Sequence, residues 1–308
     1  MPRLARAEVF SPDIVATVHV MARVVRRCFL LGTDSVTGNN YDHRKVWIEE
    51  QLIRLAAHFG IDLLCFSILS NHFHLVLRSR PDVVATWDDS EVARRWLMLC
   101  PIRKDKNKAP IEPNEFELNS VRNDPAKLAE VRNRLSDIGW WMRLLCQNIG
   151  ARANIEDREV GKFWQSRYKA VRILDAETLL ACAAYVDLNP IRAAMAETIE
   201  QCDYTSVQRR IQALTEQSLA LDNATRTNPV EAVDASVAET VLAGACPTSP
   251  ARDACLSPVT IDERNDPIGP HVSRNGKFFI VRRATELIDC LTVRAEASRI
   301  DADRDDIG

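Results

Sequence analysis

The sequence has no uninterrupted apolar run of the about 18 residues that a membrane-spanning helix needs, because Arg, Asp or Lys interrupts each apolar stretch. Its opening, MPRLARAEVFSPD, carries two arginines but no apolar segment or small-residue cleavage site behind them. No export signal is read there, and a cytoplasmic setting is expected. The nine cysteines never stand in a CxxC or other zinc-ligand spacing, which excludes the common structural zinc motifs, and most read as small buried hydrophobes. No internal repeat is found. Nor is there an excess of positive charge: the formal net charge is −3, which by itself argues against a nucleic-acid partner. That balance is uneven, however. Through residue 217 the bases slightly outnumber the acids, and the acidity sits in the tail.

What is present is an ordinary globular composition: 308 residues, 46% hydrophobic and 27% charged, enough for one large domain or a domain with additions. The segment Ile14 to Val25, IVATVHVMARVV, is β-branched and apolar on both parities, which predicts a central strand. A helix is expected over His43 to Phe59, with Asp42 as N-cap and Gly60 as stop. Ile61 to Leu69 and Phe73 to Leu77 read as two strands about a tight turn at Ser70 and Asn71. From Val83 to Glu156 the pattern is helical, in Glu91 to Leu99 and then Pro125 to Asn154 with a break at Gly139. The polar stretch PIRKDKNKAPIEPNEFELN between them reads as a loop. Lys162 to Leu174 alternates as a strand, Ala176 to Leu188 is an alanine-rich helix, and Pro190 can open another over Ile191 to Glu197. Beyond residue 217 periodicity is poor, with helices expected at most over Pro229 to Ala243 and Arg283 to Ala297. The order β-α-β-β, helices, β-α is that of an α+β chain. It divides into a main domain over 1–217, with a helical insertion over about 83–156, and an acidic appendage over 218–308.

The stretch SNHFHLVL carries the first chemistry. Strand alternation puts His72, His74 and Val76 on one face and Phe73, Leu75 and Leu77 on the other. Two imidazoles side by side can chelate one divalent ion, although an isolated HxH is more often a histidine pair on a solvated face, and a zinc site needs further ligands. Downstream, AAYVDLNPIRAA sets Tyr185 and Asn189 four residues apart, on one side of a helix near its C-terminal end. Asn189 offers a carbonyl oxygen suited to magnesium or manganese, and Tyr185 a hydroxyl able to attack phosphorus. Taken singly, such a tyrosine is a half-buried core aromatic and Asn before Pro a helix-ending turn. Their joint occurrence after the HxH strand changes the weighting.

In that order, SNHFHLVL, FWQSRYKAVRI and YVDLNPIRA resemble the HUH single-strand transposase superfamily, U being a hydrophobic residue, here Phe73. They are most similar to the REP-associated tyrosine transposases with their IS200-like domain. The resemblance spans Ile14 to Gln212. It implies an antiparallel sheet with helices packed on one face, the ferredoxin-like or RRM-like HUH core. It also implies His72 and His74 as ligands of a divalent metal, magnesium or manganese, and Asn189 as third ligand where related transposases often have Gln. Tyr185 is then the nucleophile that displaces a 3′ oxygen and forms a 5′-phosphotyrosine bond. The implied partner is single-stranded or hairpin DNA, with no membrane. Stacking bases and tracking phosphates point to Arg23, Arg26, Arg27, Trp164, Arg167, Tyr168, Lys169 and Arg172. The helix carrying Tyr185 follows a strand, so its exchange between two copies in a homodimer is open. The long insertion and acidic tail depart from small family members, and the alternative is a catalytically silent DNA-repeat-binding descendant.

Overall fold

The computed structural model describes residues 13–25, 28–34, 37–227, 254–257 and 259. Strand β1 (Ala16–Arg23) buries Val18, Val20 and Ala22 on one side, while His19, Met21 and Arg23 alternate with them. Helix α1 (His43–His58) buries Ile48, Leu52, Leu55 and Ala56, the spacing of one helical face. Asp42 does not cap it. That residue is itself helical and makes no cap bond, and its carboxylate pairs with Lys45 at 2.8 Å. The helix ends where Phe59 turns extended. Gly60 is there for close approach: a Cβ on it would lie 2.2 Å from Val84 Cγ2.

Strands β2 (Ile61–Ile68) and β3 (His72–Ser79) form the expected hairpin, and β4 (Lys169–Ile173) completes one sheet of order β2-β3-β1-β4 with every neighbouring pair antiparallel. β1 and β2 therefore run parallel with β3 between them, the split crossover of a ferredoxin-like α+β fold. β1 is central, as its two-sided apolar character requires. β4 is shorter than the expected Lys162 to Leu174. The segment before it stays beside β1, where Trp164 pairs with Val24, Val25 N donates to Phe163 O and Gln165 N to Arg23 O. Residues 166–168 interrupt the ladder, and the Trp164 indole donates to Cys146 O at 2.7 Å.

Between β3 and β4 lie α2 (Pro81–Thr86), α3 (Asp89–Leu99), α4 (Glu115–Arg122), α5 (Pro125–Arg134) and α6 (Ile138–Asp157). α4 begins inside the stretch expected to be a loop. Asn114 and Glu117 start it with a capping box, in which each side chain satisfies the other's backbone N–H. The break expected at Gly139 lies just before it: Asp137 caps α6 by accepting from Gly139 N at 2.6 Å. α1 and α6 share one core with Val18, Val20, Phe73 and Leu75, and Phe59 packs on Trp141 at 5.4 Å between ring centroids. Arg44, fully buried, pairs with Glu156 at 2.7 Å and with Asp157, tying the start of α1 to the end of α6.

The helix layer expected on one face is thus α1 and α6, and a further helix covers the other face. Leu179, Ala183 and Val186 of α7 (Ala176–Asp187) pack there on Cys65, Val76 and Ile173. α8 (Asn189–Arg192) is a single turn, shorter than expected, because the chain leaves it through Ala194 at a φ of 51°. α9 (Ser206–Thr227) runs through residue 217. Buried Asp187 accepts from Ser206 Oγ at 2.5 Å and Val207 N at 3.2 Å, fastening the end of α7 to the start of α9. The two helices expected beyond Pro229 lie outside the described residues. Among those residues no helix is long and apolar enough to cross a membrane.

Trp141→Ala is expected to lower the unfolding free energy by about 3–5 kcal/mol, the range for emptying a large buried aromatic site. Val160→Ala, at a position 97% exposed, is expected to change it by less than about 0.5 kcal/mol. Urea unfolding midpoints check both.

Candidate functional site

Residues that pair directly across an antiparallel ladder share a face. Arg23 pairs with His72, Met21 with His74 and His19 with Val76, while on the other side of β1 Met21 pairs with Lys169. One face of the sheet therefore carries His19, Arg23, His72, His74 and Lys169. α7 lies over this face and delivers Tyr185. The tyrosine ring stands edge-on to His74, at 5.6 Å between centroids, and to His19, at 6.2 Å. His72 and His74 are 5.0 Å apart, and the Arg192 guanidinium sits 5.3 Å from the Tyr185 centroid. Tyr185 is 39% exposed, so it can be reached from solvent. Asn189, one turn beyond it, is buried, and its Nδ2 has no hydrogen-bond partner among the described residues.

The two histidines of the motif are engaged in the same way. His72 Nδ1 lies 2.6 Å from Asn71 Oδ1, an acceptor, so Nδ1 holds the proton and Nε2 keeps its lone pair. His74 Nδ1 lies 2.9 Å from His19 Nε2, and His74 Nε2 is buried without a partner. Burial, with the Arg23 charge beside it, holds the His72 imidazole down to about 4. Burial again leads for His74, followed by His19, His72 and Arg23, and takes it down to about 3. Both rings are therefore neutral near pH ~7. Among the described residues no group of three or more His, Cys, Asp or Glu is arranged to hold a metal. Any ion at this site would rest on two imidazoles and a ligand of another type.

The residues expected to contact DNA divide between two places. Arg23 and Lys169 stand on the tyrosine face, and Arg23 Nε is buried with no partner among the described residues. Trp164, Arg167 and Tyr168 instead line a groove of about 520 Å³ with Trp140 and Arg143 of α6. They belong with the helix layer on the far side of the sheet, because the chain before β4 is held against α6. Arg172 pairs with Val18, on the core parity, and lines a small cleft with Val15 and Arg78. Arg26 and Arg27 lie outside the described residues. Trp141 is core, whereas half-buried Trp140 carries Arg134 and Arg143 at 4.2 and 4.5 Å from its ring. The site residue not singled out from the sequence is His19. The signal is its parity: it alternates with Val18 and Val20 and so shares the face of Met21 and Arg23.

No family model matches the chain, and no curated protein matches it. The chain is similar to a solved structure of the REP-associated tyrosine transposase bound to a REP hairpin, at 11% identity, over 64% of this chain and 79% of that one, with a TM-score of 0.37.

The neutral histidines have a consequence for stability. In the unfolded chain they titrate near ~6.5, so as the pH falls from about 6.5 towards 4 the unfolded state binds protons that the folded state does not. The stability they allow is complete above about pH 6.5 and declines through that window on acidification. A His74→Phe variant is expected to lose less stability between about pH 7 and about pH 5 than the parent, read from urea midpoints, and an equal loss would contradict it.

Proposed function

We propose that the protein is a metal-assisted tyrosine DNA strand-transferase acting on single-stranded or hairpin DNA, of the transposase kind its motifs resemble. The observation that carries this reading is the approach of Tyr185 to the histidine face: an exposed phenol 5.6 Å from the His74 ring, brought there by a separate helix. A packing tyrosine has no need of two histidine rings beside it.

The side chains fit a divalent cation such as magnesium or manganese. His72 and His74 are neutral, His74 Nε2 is buried without a partner among the described residues, and the buried Asn189 would turn its carboxamide oxygen, not its unpartnered Nδ2, to the ion. Two imidazoles and an amide carry no negative charge, so an ion held by them keeps most of its own. Such an ion, if bound there, would supply Lewis-acid stabilisation to the phosphoryl oxygens on which charge accumulates. The protein's own groups do the rest. Tyr185 Oη attacks phosphorus, a tyrosyl O–P bond forms and the bond to the 3′ oxygen breaks. The phenol loses its proton and the departing 3′ oxygen gains one. The resulting 5′-phosphotyrosine keeps the bond energy for rejoining. Arg23 and Lys169 supply positive charge for phosphates on the same face, and the groove of Trp164, Arg167 and Tyr168 offers aromatic and guanidinium surfaces to unpaired bases.

Labelled hairpin and single-stranded oligonucleotides incubated with the protein and magnesium or manganese are expected to yield a covalent adduct that survives denaturing electrophoresis. It is expected to require the metal and to vanish in Tyr185→Phe and His72→Ala. Binding without any adduct would overturn the reading in favour of a silent DNA-binding protein, and cleavage surviving in Tyr185→Phe in favour of a hydrolase. In the double variant Arg23→Gln, Lys169→Gln, affinity for single strands is expected to fall at every sequence, with a salt dependence shallower by roughly one ion per charge removed. Filter-binding titrations across salt concentrations measure this.

A further inference from the structure

His19 stands on β1, outside the HxH motif, yet its ring is within hydrogen-bond distance of the His74 ring. Its Nε2 lies 2.9 Å from His74 Nδ1, and the two rings stack at 5.1 Å with 12° between their planes. We propose that His19 is a positioning residue: it accepts the Nδ1 proton of His74 and so fixes the tautomer that presents the His74 Nε2 lone pair to a divalent cation. The inference rests on the metal-site reading given under the proposed function.

One proton lies between the two nitrogens, and the surroundings decide its owner. If His19 donated, the proton of His74 would sit on Nε2. That atom is buried with no acceptor, and an orphaned buried N–H is among the costliest ways to leave a polar group. If His74 donates, its Nε2 bears only a lone pair, which a cation can fill. The proton of His19 then sits on Nδ1, an atom that is not among the buried unpartnered ones. His72 shows the same logic with a different acceptor, since the Asn71 carboxamide oxygen takes its Nδ1 proton at 2.6 Å. Two acceptors of different chemistry thus leave the same nitrogen available on both rings. Metal-binding histidines almost always donate their second ring N–H to such a partner, which orients the ring and raises its basicity. His19 is not a third ligand of one ion, because its Nε2 is taken up by His74 and the three histidines form no metal-holding group among the described residues.

The test reads the tautomer directly in metal-free protein, by two-dimensional NMR of ¹⁵N-labelled histidine near neutral pH. His74 is expected to carry its proton on Nδ1 in the parent and to shift towards the Nε2–H form in His19→Phe, which keeps a stacking ring but removes the acceptor. His19→Asn, which restores an amide oxygen like that of Asn71, is expected to recover the Nδ1–H form. Manganese affinity, titrated by electron paramagnetic resonance, is expected to fall about 10- to 100-fold in His19→Phe, the usual cost of losing such a partner, and to recover in His19→Asn. An Nε2–H tautomer of His74 in the parent overturns the proposal, and it needs no variant to fold. A tautomer and manganese affinity unchanged in His19→Phe overturn it as well. The tautomer is read without DNA or metal, so absence of a DNA adduct would sink the strand-transferase reading while leaving this result standing.

Discussion

The register between β1 and β3 is the constraint on which everything else in the site depends. Side chains alternate along a strand, so a slip of one residue in β3 would turn His72 and His74 into the core and Phe73 and Leu75 out of it, and a slip in β1 would do the same to His19 against Val18 and Val20. Each of those apolar side chains contributes about 1.5–3 kcal/mol on burial, and all four are fully buried. The core face therefore holds the polar face in place. The histidines need no stabilising interaction of their own to stand together, because their partners on the other parity fix the ladder for them.

The tyrosine depends on the same economy in α7. Leu179, Ala183 and Val186 form a stripe that anchors the helix on Cys65, Val76 and Ile173. Tyr185 lies off that stripe, at the helix edge, where it meets the His19 and His74 rings. Asp187 then fixes the far end through Ser206 and Val207, which limits how α7 can slide. Its carboxyl is pushed up by burial, against the opposing Arg210 charge and the hydrogen bonds it accepts. Apolar packing thus sets the distance between Tyr185 and the histidines, and a buried polar clamp holds the end of the helix.

Much of this architecture is legible in the chain. Period-two alternation in HFHLVL places both motif histidines on one face, whereas the single helix expected to carry Tyr185 and Asn189 ends at Asp187, and Asn189 opens the next turn. The elements β1, α1, β2, β3 and α7 fall close to their expected positions because each has a clear period and a clear stop. α4 is hidden because its capping box sits in a lysine- and proline-rich stretch whose composition reads as loop. The shortening of β4 is hidden too, since the sequence alternates through residues 166–168, where the ladder beside β1 is interrupted. Nor does any local pattern connect the Trp164 indole to Cys146 O, to which it donates, or show that Trp164, Arg167 and Tyr168 line a groove with α6. His19 is half-legible. Its parity is visible, but its meeting with His74 requires the register of two strands far apart in sequence.

The central claim is that one tyrosine of the four in the chain is a nucleophile because of what surrounds it. The most direct measurement is peptide mapping by mass spectrometry of protein reacted with a hairpin oligonucleotide and manganese, then digested with nuclease and protease. A nucleotide remnant on the peptide bearing Tyr185, with Tyr41, Tyr168 and Tyr204 unmodified, is the predicted result. A remnant on any of the other three, or none across a broad set of hairpins under conditions where the DNA is bound, would contradict the claim.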